Sequence, residues 1–272
     1  MTLVGSSKLP SFENPPVTEV ACSVLFRSIE ELATAHVGLL WQAFQPEYPY
    51  VEDTVPLASK VEFFENKPIE AKLQITGVPP MPRVWFITES GNRVIQIQRE
   101  RFIHNWRKIQ NTDEYPRYES VVNKFQEYLS TFEGFLANSR LSKLSYLQYE
   151  LTYVNQIPQS HGWKTFEDIG NIFPDFSWRT QSERFLKSPK SLNWGTSFDL
   201  PDEIGRLYVG VSSAMQGNEP ILLVELTVRG IGDYAAPESL RKWFDIAHDW
   251  IVRAFADLTA ESIQTEIWKR KG

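Results

Sequence analysis

Two stretches of equal length decide the fold: residues 118–136 (YESVVNKFQEYLSTFEGFL) and residues 240–258 (LRKWFDIAHDWIVRAFADL). In each of them apolar residues recur at alternating steps of four and three positions, a spacing that keeps one face of an α-helix on a core. The two stripes match position for position: Tyr118, Val122, Phe125, Leu129, Phe132 and Leu136 in the first stretch, and Leu240, Phe244, Ala247, Ile251, Ala254 and Leu258 in the second. The sequence therefore predicts two long amphipathic helices, one closing each half of the chain.

Strand-like segments precede the first of these helices. Alternating apolar residues predict an opening strand over residues 17–26, and a helix over residues 32–44 follows it and ends at Pro46. Further strands are expected near residues 60–65, 71–76, 83–88 and 93–106. The last two of these are joined at Ser90-Gly91-Asn92, which is typical of a hairpin turn.

The second half follows a similar order. Its opening strand carries Glu150-Leu151, as the first opening strand carries Glu19-Val20. A short helical segment is expected near residues 163–172, and a last short helix is expected after Glu261. Between them, strands are predicted near residues 191–199, 206–214 and 221–229.

Two successive β-α-β(3–4)-α units predict an α+β fold that arose by internal duplication. Because the helices follow meander strands in both halves, we expect one antiparallel sheet with both long helices on the same face. The expected shape is similar to a saddle or a helix-grip fold, and shape alone does not transfer function. Residues 1–140 and 141–272 are expected to form the two halves of a single compact domain.

The composition narrows the possible function classes. With 42% hydrophobic and 13% aromatic residues, the chain of 272 residues can form a packed core. A formal charge of −6 disfavours general attraction to nucleic acid or to anionic membranes. The single cysteine, Cys22, excludes an internal disulfide and is expected to be a buried structural thiol. The sequence shows no signal-like segment and no apolar run of membrane-spanning length, so we expect a cytoplasmic protein without a membrane partner.

Five short segments stand out in the order Asn14-Pro15-Pro16-Val17-Thr18-Glu19, Gln96-Ile97-Gln98, Asn105-Trp106-Arg107, Tyr115-Pro116-Arg117-Tyr118 and Glu150-Leu151-Thr152-Tyr153-Val154-Asn155. Together they resemble a sporadically distributed bacterial family of uncharacterised proteins, over nearly the whole chain. The resemblance implies a stand-alone bacterial protein of patchy distribution, as expected of accessory or mobile genes. It implies no particular activity.

No local motif specifies a reaction. The four histidines lack the i, i+4 spacing of a helical metal site, and the single cysteine offers no ligand pair. The stretch from Gly210 to Ala214 lacks the second glycine of a nucleophile elbow, and no phosphate-binding loop of the Gly-Lys-Ser/Thr type occurs. We therefore predict no catalytic residue, metal or cofactor, although paired carboxylates such as Glu150 and Glu225 need no local motif.

The segment from Arg93 to Lys108 is a candidate binding element. If it forms one strand, four of its polar residues lie on one face and could bind phosphate or carboxylate: Arg99, Arg101, Asn105 and Arg107. In a regular strand, isoleucines would lie on the same face as these polar residues. Either a bulge therefore rotates the strand, or the arginines emerge at the rim of the sheet. The structural alternatives are ion pairs with Glu100 and Asp113, or a corner in which Trp106 packs.

A second candidate is the sheet face turned away from the helices. Strand alternation places polar residues of several strands on it, namely Gln96, Gln98, Glu150, Thr152, Tyr208, Glu225 and Thr227. Such a face is either merely solvated or a rigid platform for a partner. We predict a non-enzymatic binding protein that holds a protein partner, or a second copy of itself, on this open face. The alternative is a nucleic-acid-associated protein that uses the segment from Arg93 to Lys108 and the basic end Lys269-Arg270-Lys271.

Overall fold

The computed structural model describes residues 8–58, 61, 81–176, 185–230 and 237–271. Along the chain these residues form β1 (Ser11–Phe12), β2 (Val17–Phe26), α1 (Thr34–Phe44), β3 (Tyr50–Thr54), β4 (Arg83–Ile87), β5 (Arg93–Gln98), β6 (Arg101–Arg107), α2 (Arg117–Asn138), β7 (Tyr146–Pro158), β8 (Asn193–Asp199), β9 (Arg206–Gln216), β10 (Glu219–Gly230), α3 (Pro237–Leu258), α4 (Glu261–Glu266) and β11 (Arg270–Lys271). Short 3₁₀ helices lie at Gln159–His161, Phe166–Asn171 and Pro201–Glu203. The strands predicted near residues 60–65 and 71–76 lie outside the described residues, apart from position 61.

Nine of the described strands form one antiparallel sheet in the order β3-β4-β5-β6-β2-β7-β10-β9-β8. The opening strands of the two halves, β2 and β7, lie side by side at its centre. In both halves the later strands return from an outer edge towards that centre. The predicted α+β class, with one antiparallel sheet that includes strands of both halves, is confirmed.

Both long helices cover the same face of the sheet, as predicted. Val24 of β2 lies opposite Phe102 of β6 and Tyr149 of β7, so these three side chains share a face. The ring of Phe102 contacts Phe125 of α2 at 6.2 Å between centroids, and the ring of Tyr149 contacts Phe244 of α3 at 6.1 Å. The Phe125 and Phe244 rings meet at 5.1 Å, which joins the two helices through one aromatic layer. Cys22 is fully buried on this face.

The segment from Arg93 to Arg107 is a hairpin and not one strand, so the predicted strand over residues 93–106 is wrong. The chain reverses at Arg99 and Glu100, and Gln98 pairs with Arg101. Neither turn residue is the glycine or asparagine that would have signalled a reversal. The preceding turn at Gly91 was predicted, and there the backbone has the positive φ of 73° that glycine adopts easily.

The two ends of the described chain meet on the helix-covered side. β1 pairs with β11, and the backbone N–H groups of Glu13 and Asn14 donate to the carbonyls of Lys269 and Trp268 at 3.1 Å each. The Phe12 ring packs edge-on against Trp268 at 6.2 Å between centroids. This contact fixes residues 8–17, the N-terminal arm, beside α3.

Candidate functional site

The sheet face turned away from α2 and α3 carries most of the predicted binding residues, and we call it the polar face. One row across five strands consists of Asn105, Ala21, Thr152, Thr227 and Tyr208, in register. Neighbouring rows add Gln96, Gln98, Arg101, Arg107, Glu19, Glu150 and Glu225. The parity predicted for these residues is therefore confirmed. Arg99 does not join them, because it lies in the β5–β6 turn, where its Nε donates to the Leu32 carbonyl at 3.1 Å.

Amide and carboxylate groups form a hydrogen-bond relay across four strands of the polar face. Arg83 Nη1 donates to Gln96 Oε1 at 2.8 Å, and Gln96 Nε2 donates to Asn105 Oδ1 at 2.9 Å. Asn105 Nδ2 then donates to Glu19 Oε1 at 2.7 Å. Burial raises the pKa of the Glu19 carboxyl, and the bond from Asn105 opposes that rise. The relay satisfies most of its polar atoms internally, which is typical of structural polar networks, and Arg83 Nε is its one buried atom without a partner in the described part of the chain.

Glu150 bridges two arginines further along the same face. Its carboxylate lies 3.5 Å from Arg101 Nη1 and 2.5 Å from Arg229 Nε. The Glu150 side chain is 16% exposed and that of Arg101 is 7% exposed, so this ion pair is largely removed from water. Asp113, which was predicted to pair with an arginine, accepts bonds from the backbone N–H groups of residues 109 and 110, and Glu100 accepts a bond from Gln98 Nε2 at 2.9 Å.

The expectation of an open, solvated face is wrong for much of this surface. Only 1–7% of Gln96, Gln98, Arg101, Asn105 and Thr227 is exposed. Gln98 exchanges bonds with the backbone of Leu57, whose N–H donates to Gln98 Oε1 at 2.8 Å, so the chain after β3 lies over this edge. Glu225 remains exposed, while Thr152, Arg107 and Tyr208 are partly buried. Neighbouring polar groups are thus buried mainly against one another.

A cavity of about 440 Å³ lies on the other side of the sheet, among the N-terminal arm, the start of α2, and α3. Its polar lining includes Tyr115, Tyr153, Asn155 and His248. Its apolar lining includes Phe12, Val17, Leu226, Ile251, Val252 and Phe255. Three of the five segments that stand out in the sequence contribute lining residues, because residues 15–17, 115–118 and 153–155 all reach it.

Three lining side chains form a hydrogen-bonded chain, which we call the Tyr–Tyr–His chain. The hydroxyls of Tyr115 and Tyr153 are 2.9 Å apart, and the Tyr153 hydroxyl is 3.0 Å from His248 Nδ1. Burial lowers the pKa of His248 to about 4 and raises the pKa of both tyrosines. At neutral pH the chain therefore consists of two phenols and a neutral imidazole.

Stacked rings hold the imidazole in place. The Tyr118 ring lies parallel to the His248 ring, with 4.0 Å between centroids and 4° between planes. The Tyr118 hydroxyl donates to Asp245 Oδ1 at 2.8 Å, and the Arg241 guanidinium lies 5.8 Å from the Tyr118 ring centroid. Tyr118 therefore covers one face of the His248 imidazole.

Charge in the cavity lining is confined to its exposed side. The lining carboxylates of Glu119 and Asp245 both pair with Arg241, and that of Asp249 pairs with Arg253 at 2.8 Å. Arg117 is exposed, and its Nη1 donates to the Phe12 carbonyl at 2.9 Å. By contrast Tyr153, Asn155 and Leu226, which are at most 4% exposed, are uncharged.

The sequence analysis did not predict the Tyr–Tyr–His chain. Tyr115 is 38 residues from Tyr153, and His248 is 95 residues from it, so no local pattern joins them. A signal was nevertheless present: Tyr153 has core parity in β7, and His248 follows a core position of α3. A hydroxyl and an imidazole on buried faces need partners, which predicts that such groups meet.

The described part of the chain contains neither a cluster of metal ligands nor a membrane-spanning helix. No group of three or more His, Cys, Asp or Glu side chains there is placed to hold a metal ion. None of its helices is both long and apolar enough to cross a bilayer.

The chain was compared with models of protein families and with curated proteins. No model of a protein family matches it, and no curated protein matches it either. Membership of the bacterial family that its motifs resemble therefore stays a prediction, and its function has to be inferred from its own residues.

Proposed function

We propose that the chain is a non-enzymatic binding protein and that its ligand is a small molecule held in the cavity under the N-terminal arm. One observation carries this proposal: a mostly apolar cavity of about 440 Å³ is lined by a few convergent polar groups with shifted pKa values. Ligand sites in proteins have this size and composition, roughly 300–1,000 Å³ with few polar groups. On the polar face, by contrast, most of the described polar groups bond to one another.

The protonation states in the cavity favour binding over catalysis. A general acid or base works best when its pKa is close to the working pH. The pKa of His248, at about 4, lies well below neutrality, and those of Tyr115 and Tyr153 are raised above the ordinary tyrosine value. The three groups therefore act as neutral donors and acceptors at pH 7, which suits recognition of a ligand.

A filled cavity tests this function. In Val252→Trp, the larger ring is expected to occupy the cavity, since Val252 lines it and is partly buried. Val55→Trp is the matched control, because Val55 is 79% exposed and does not line the cavity. In ligand-observed NMR with a fragment library, we expect hits that bind the wild type and Val55→Trp but not Val252→Trp. A library without hits, or hits that survive in Val252→Trp, would contradict the proposal.

A protein partner, or a second copy of the chain, on the polar face is a second proposal. The observation that favours it is the exposed carboxylate of Glu225, beside Thr227 and Gly210 in the same sheet. Glu225→Arg should then weaken self-association in analytical ultracentrifugation without changing the melting temperature by more than a few degrees. If the wild-type chain stays monomeric at high concentration, self-association through this surface is excluded, and only binding of a different protein remains.

Nucleic-acid binding has weaker support. In β6, Arg101 pairs with Glu150, and at the basic end Lys271 pairs with Glu13 at 2.9 Å. We expect no DNA or RNA complex near physiological salt. A sub-micromolar, salt-sensitive complex that is lost when Arg99, Arg101 and Arg107 are all replaced by alanine would restore this alternative. Internal duplication also stays a proposal, which the matching strand order of the two halves supports.

A further inference from the structure

We infer that the ligand of the cavity is an uncharged molecule with an apolar body and a hydrogen-bonding group, such as an amide or a hydroxyl, that meets an end of the Tyr–Tyr–His chain. The inference rests on the proposed function of the cavity as a binding site and adds the chemical class of the ligand. It follows from where charge is found in the lining, from the number of protons in the chain, and from the side chains around it.

The distribution of charge excludes an ion from the inner end of the cavity. The buried lining residues Tyr153, Asn155 and Leu226 carry no charge. The lining carboxylates are on the exposed side and are neutralised by Arg241 and Arg253. An ionised group placed at the inner end would lose its hydration and gain no counter-ion, which costs several kcal/mol.

A count of protons defines what the Tyr–Tyr–His chain offers a ligand. Two phenols and one neutral imidazole hold three polar hydrogens, and the two bonds within the chain use two of them. If Tyr115 donates to Tyr153 and Tyr153 donates to Nδ1, the remaining hydrogen is on His248 Nε2. If the direction reverses, the remaining hydrogen is on the Tyr115 hydroxyl. In both directions one end of the chain donates and the other accepts.

Both end residues of this chain, Tyr115 and His248, line the cavity. A neutral ligand group that accepts from one end, or donates to the other, can therefore be satisfied without any change in charge. A carbonyl bound at Nε2 selects the Nε2–H tautomer, and a hydroxyl that donates to Nε2 selects the Nδ1–H tautomer. The chain thus adapts to either kind of neutral group by reversing its direction.

Apolar side chains surround the rest of the volume. The lining includes Phe12 of the N-terminal arm, whose ring packs edge-on against Phe255 of α3 at 5.8 Å between centroids, together with Ile251, Val252 and Leu226. The rings of Tyr118 and His248 are stacked on each other, which covers one face of each ring. The binding of an aliphatic or small aromatic body is therefore favoured mainly by its transfer out of water.

Arg117 is the feature of the lining that favours a different ligand. Its guanidinium has no carboxylate partner within the described residues, and it lies 5.8 Å from the Tyr115 ring centroid. Because this side chain is exposed, water and salt screen its charge. An anion that depends on Arg117 is thus the main competing outcome, and the experiment is designed to detect it.

The test uses matched probes of one shape and different charge. One set is cyclohexanecarboxamide, cyclohexanecarboxylate and cyclohexylmethylammonium, and the other is benzamide, benzoate and benzylammonium. Affinities are measured by NMR titration of the full chain and of Val252→Trp. In at least one set, we expect the neutral carboxamide to bind at least about tenfold more tightly than the carboxylate and the ammonium probe. A tenfold ratio corresponds to ~1.4 kcal/mol. Binding of the carboxamide should shift the imidazole ¹⁵N resonances of His248 and vanish in Val252→Trp.

Two variants connect this binding to the Tyr–Tyr–His chain. Tyr153→Phe breaks both bonds of the chain and should weaken the neutral probe about tenfold, whereas Thr152→Val removes a hydroxyl from the opposite face and should not. The inference would be overturned if an ionised probe bound more tightly than the neutral probe of its set, and if its binding were weakened by Arg117→Gln and blocked in Val252→Trp. The proposed function of the cavity would then still hold. No binding by any member would overturn the inference, and a fragment library without hits would overturn the function as well.

Discussion

On the polar face of the sheet, charged side chains neutralise one another, whereas on the helix-covered face the buried polar groups are uncharged and border a cavity. Glu150 with its two arginines represents the first arrangement, and Tyr153 with Tyr115 and His248 represents the second. The charged cluster is the more conspicuous in the sequence, yet its members already have partners. The neutral cluster has donor and acceptor capacity left at its ends.

This difference shows why a concentration of charge is a weak indicator of a binding site. Buried ions are stable only when their partners are close, so a buried charge cluster is usually complete by itself. Phenols and imidazoles cost less to bury, and they can face an apolar volume with one bond unmade.

The aromatic layer under α2 and α3 should account for the largest loss of stability. Phe125→Ala and Phe244→Ala are each expected to lower the free energy of unfolding by about 3–5 kcal/mol, because both rings are fully buried and leave cavities. Since the rings touch, the double variant should show coupling of about 1 kcal/mol in a double-mutant cycle. Chemical denaturation measures all three. Losses below about 1 kcal/mol would mean that the two helices do not share this layer.

The second-largest loss of stability should come from the charged cluster around Glu150. Glu150→Gln is expected to destabilise the fold by ~3 kcal/mol, because it leaves the buried Arg101 without its counter-ion. The control is Glu225→Gln on the same face, which should change stability by less than about 0.5 kcal/mol because Glu225 is exposed. The comparison corrects the sequence-based view that the two glutamates are equivalent. Equal effects in urea unfolding would show that the difference in burial has no energetic consequence.

Sequence periodicity predicted the helix-covered face better than the polar face. The matching stripes of α2 and α3 identified the core, since apolar burial is the main determinant of helix position. The parity of Glu150 and Thr227 was also correct, because strand alternation is strict. Periodicity could not show that much of the polar face is buried. It also could not show the chain reversal at Arg99, because no residue typical of turns occurs there. The cavity was missed because it depends on contacts between residues that are far apart in the chain.

At low pH the fold should be destabilised mainly by protonation of histidines on the helix-covered face. Burial lowers the pKa of His104 to about 3, helped by the charge of Arg93, and it lowers that of His248 to about 4. Both lie below the unfolded value of ~6.5, so the unfolded chain binds more protons and stability falls as the pH drops below ~6.5. Each histidine contributes a slope of up to ~1.4 kcal/mol per pH unit until its folded pKa is reached.

His104→Phe should therefore reduce this slope between pH 6 and pH 4, which melting temperatures across that range would measure. The larger apolar ring should keep the edge contact with Tyr128. Glu19 on the polar face works in the opposite sense, since its raised pKa makes the folded chain bind more protons than the unfolded chain just above ~4.5. An unchanged slope in His104→Phe would place the acid sensitivity elsewhere.

The smallest effect compares two neighbouring hydroxyls on opposite faces. The Thr152 hydroxyl is 2.9 Å from that of Thr227 on the polar face, and the Tyr153 hydroxyl belongs to the Tyr–Tyr–His chain. Thr152→Val should cost about 1 kcal/mol, the usual net value of a hydrogen bond, whereas Tyr153→Phe, which breaks two bonds and removes a partner from Tyr115 and from His248, should cost about 2 kcal/mol. Thr227 keeps Glu225 as a partner at 3.3 Å, so its hydroxyl is not orphaned in the first variant. If Tyr153→Phe lowers the affinity of the neutral probes at a temperature where both variants are fully folded, and Thr152→Val does not, the cavity chain recognises ligand. Equal losses of affinity would instead trace binding to the stability of β7.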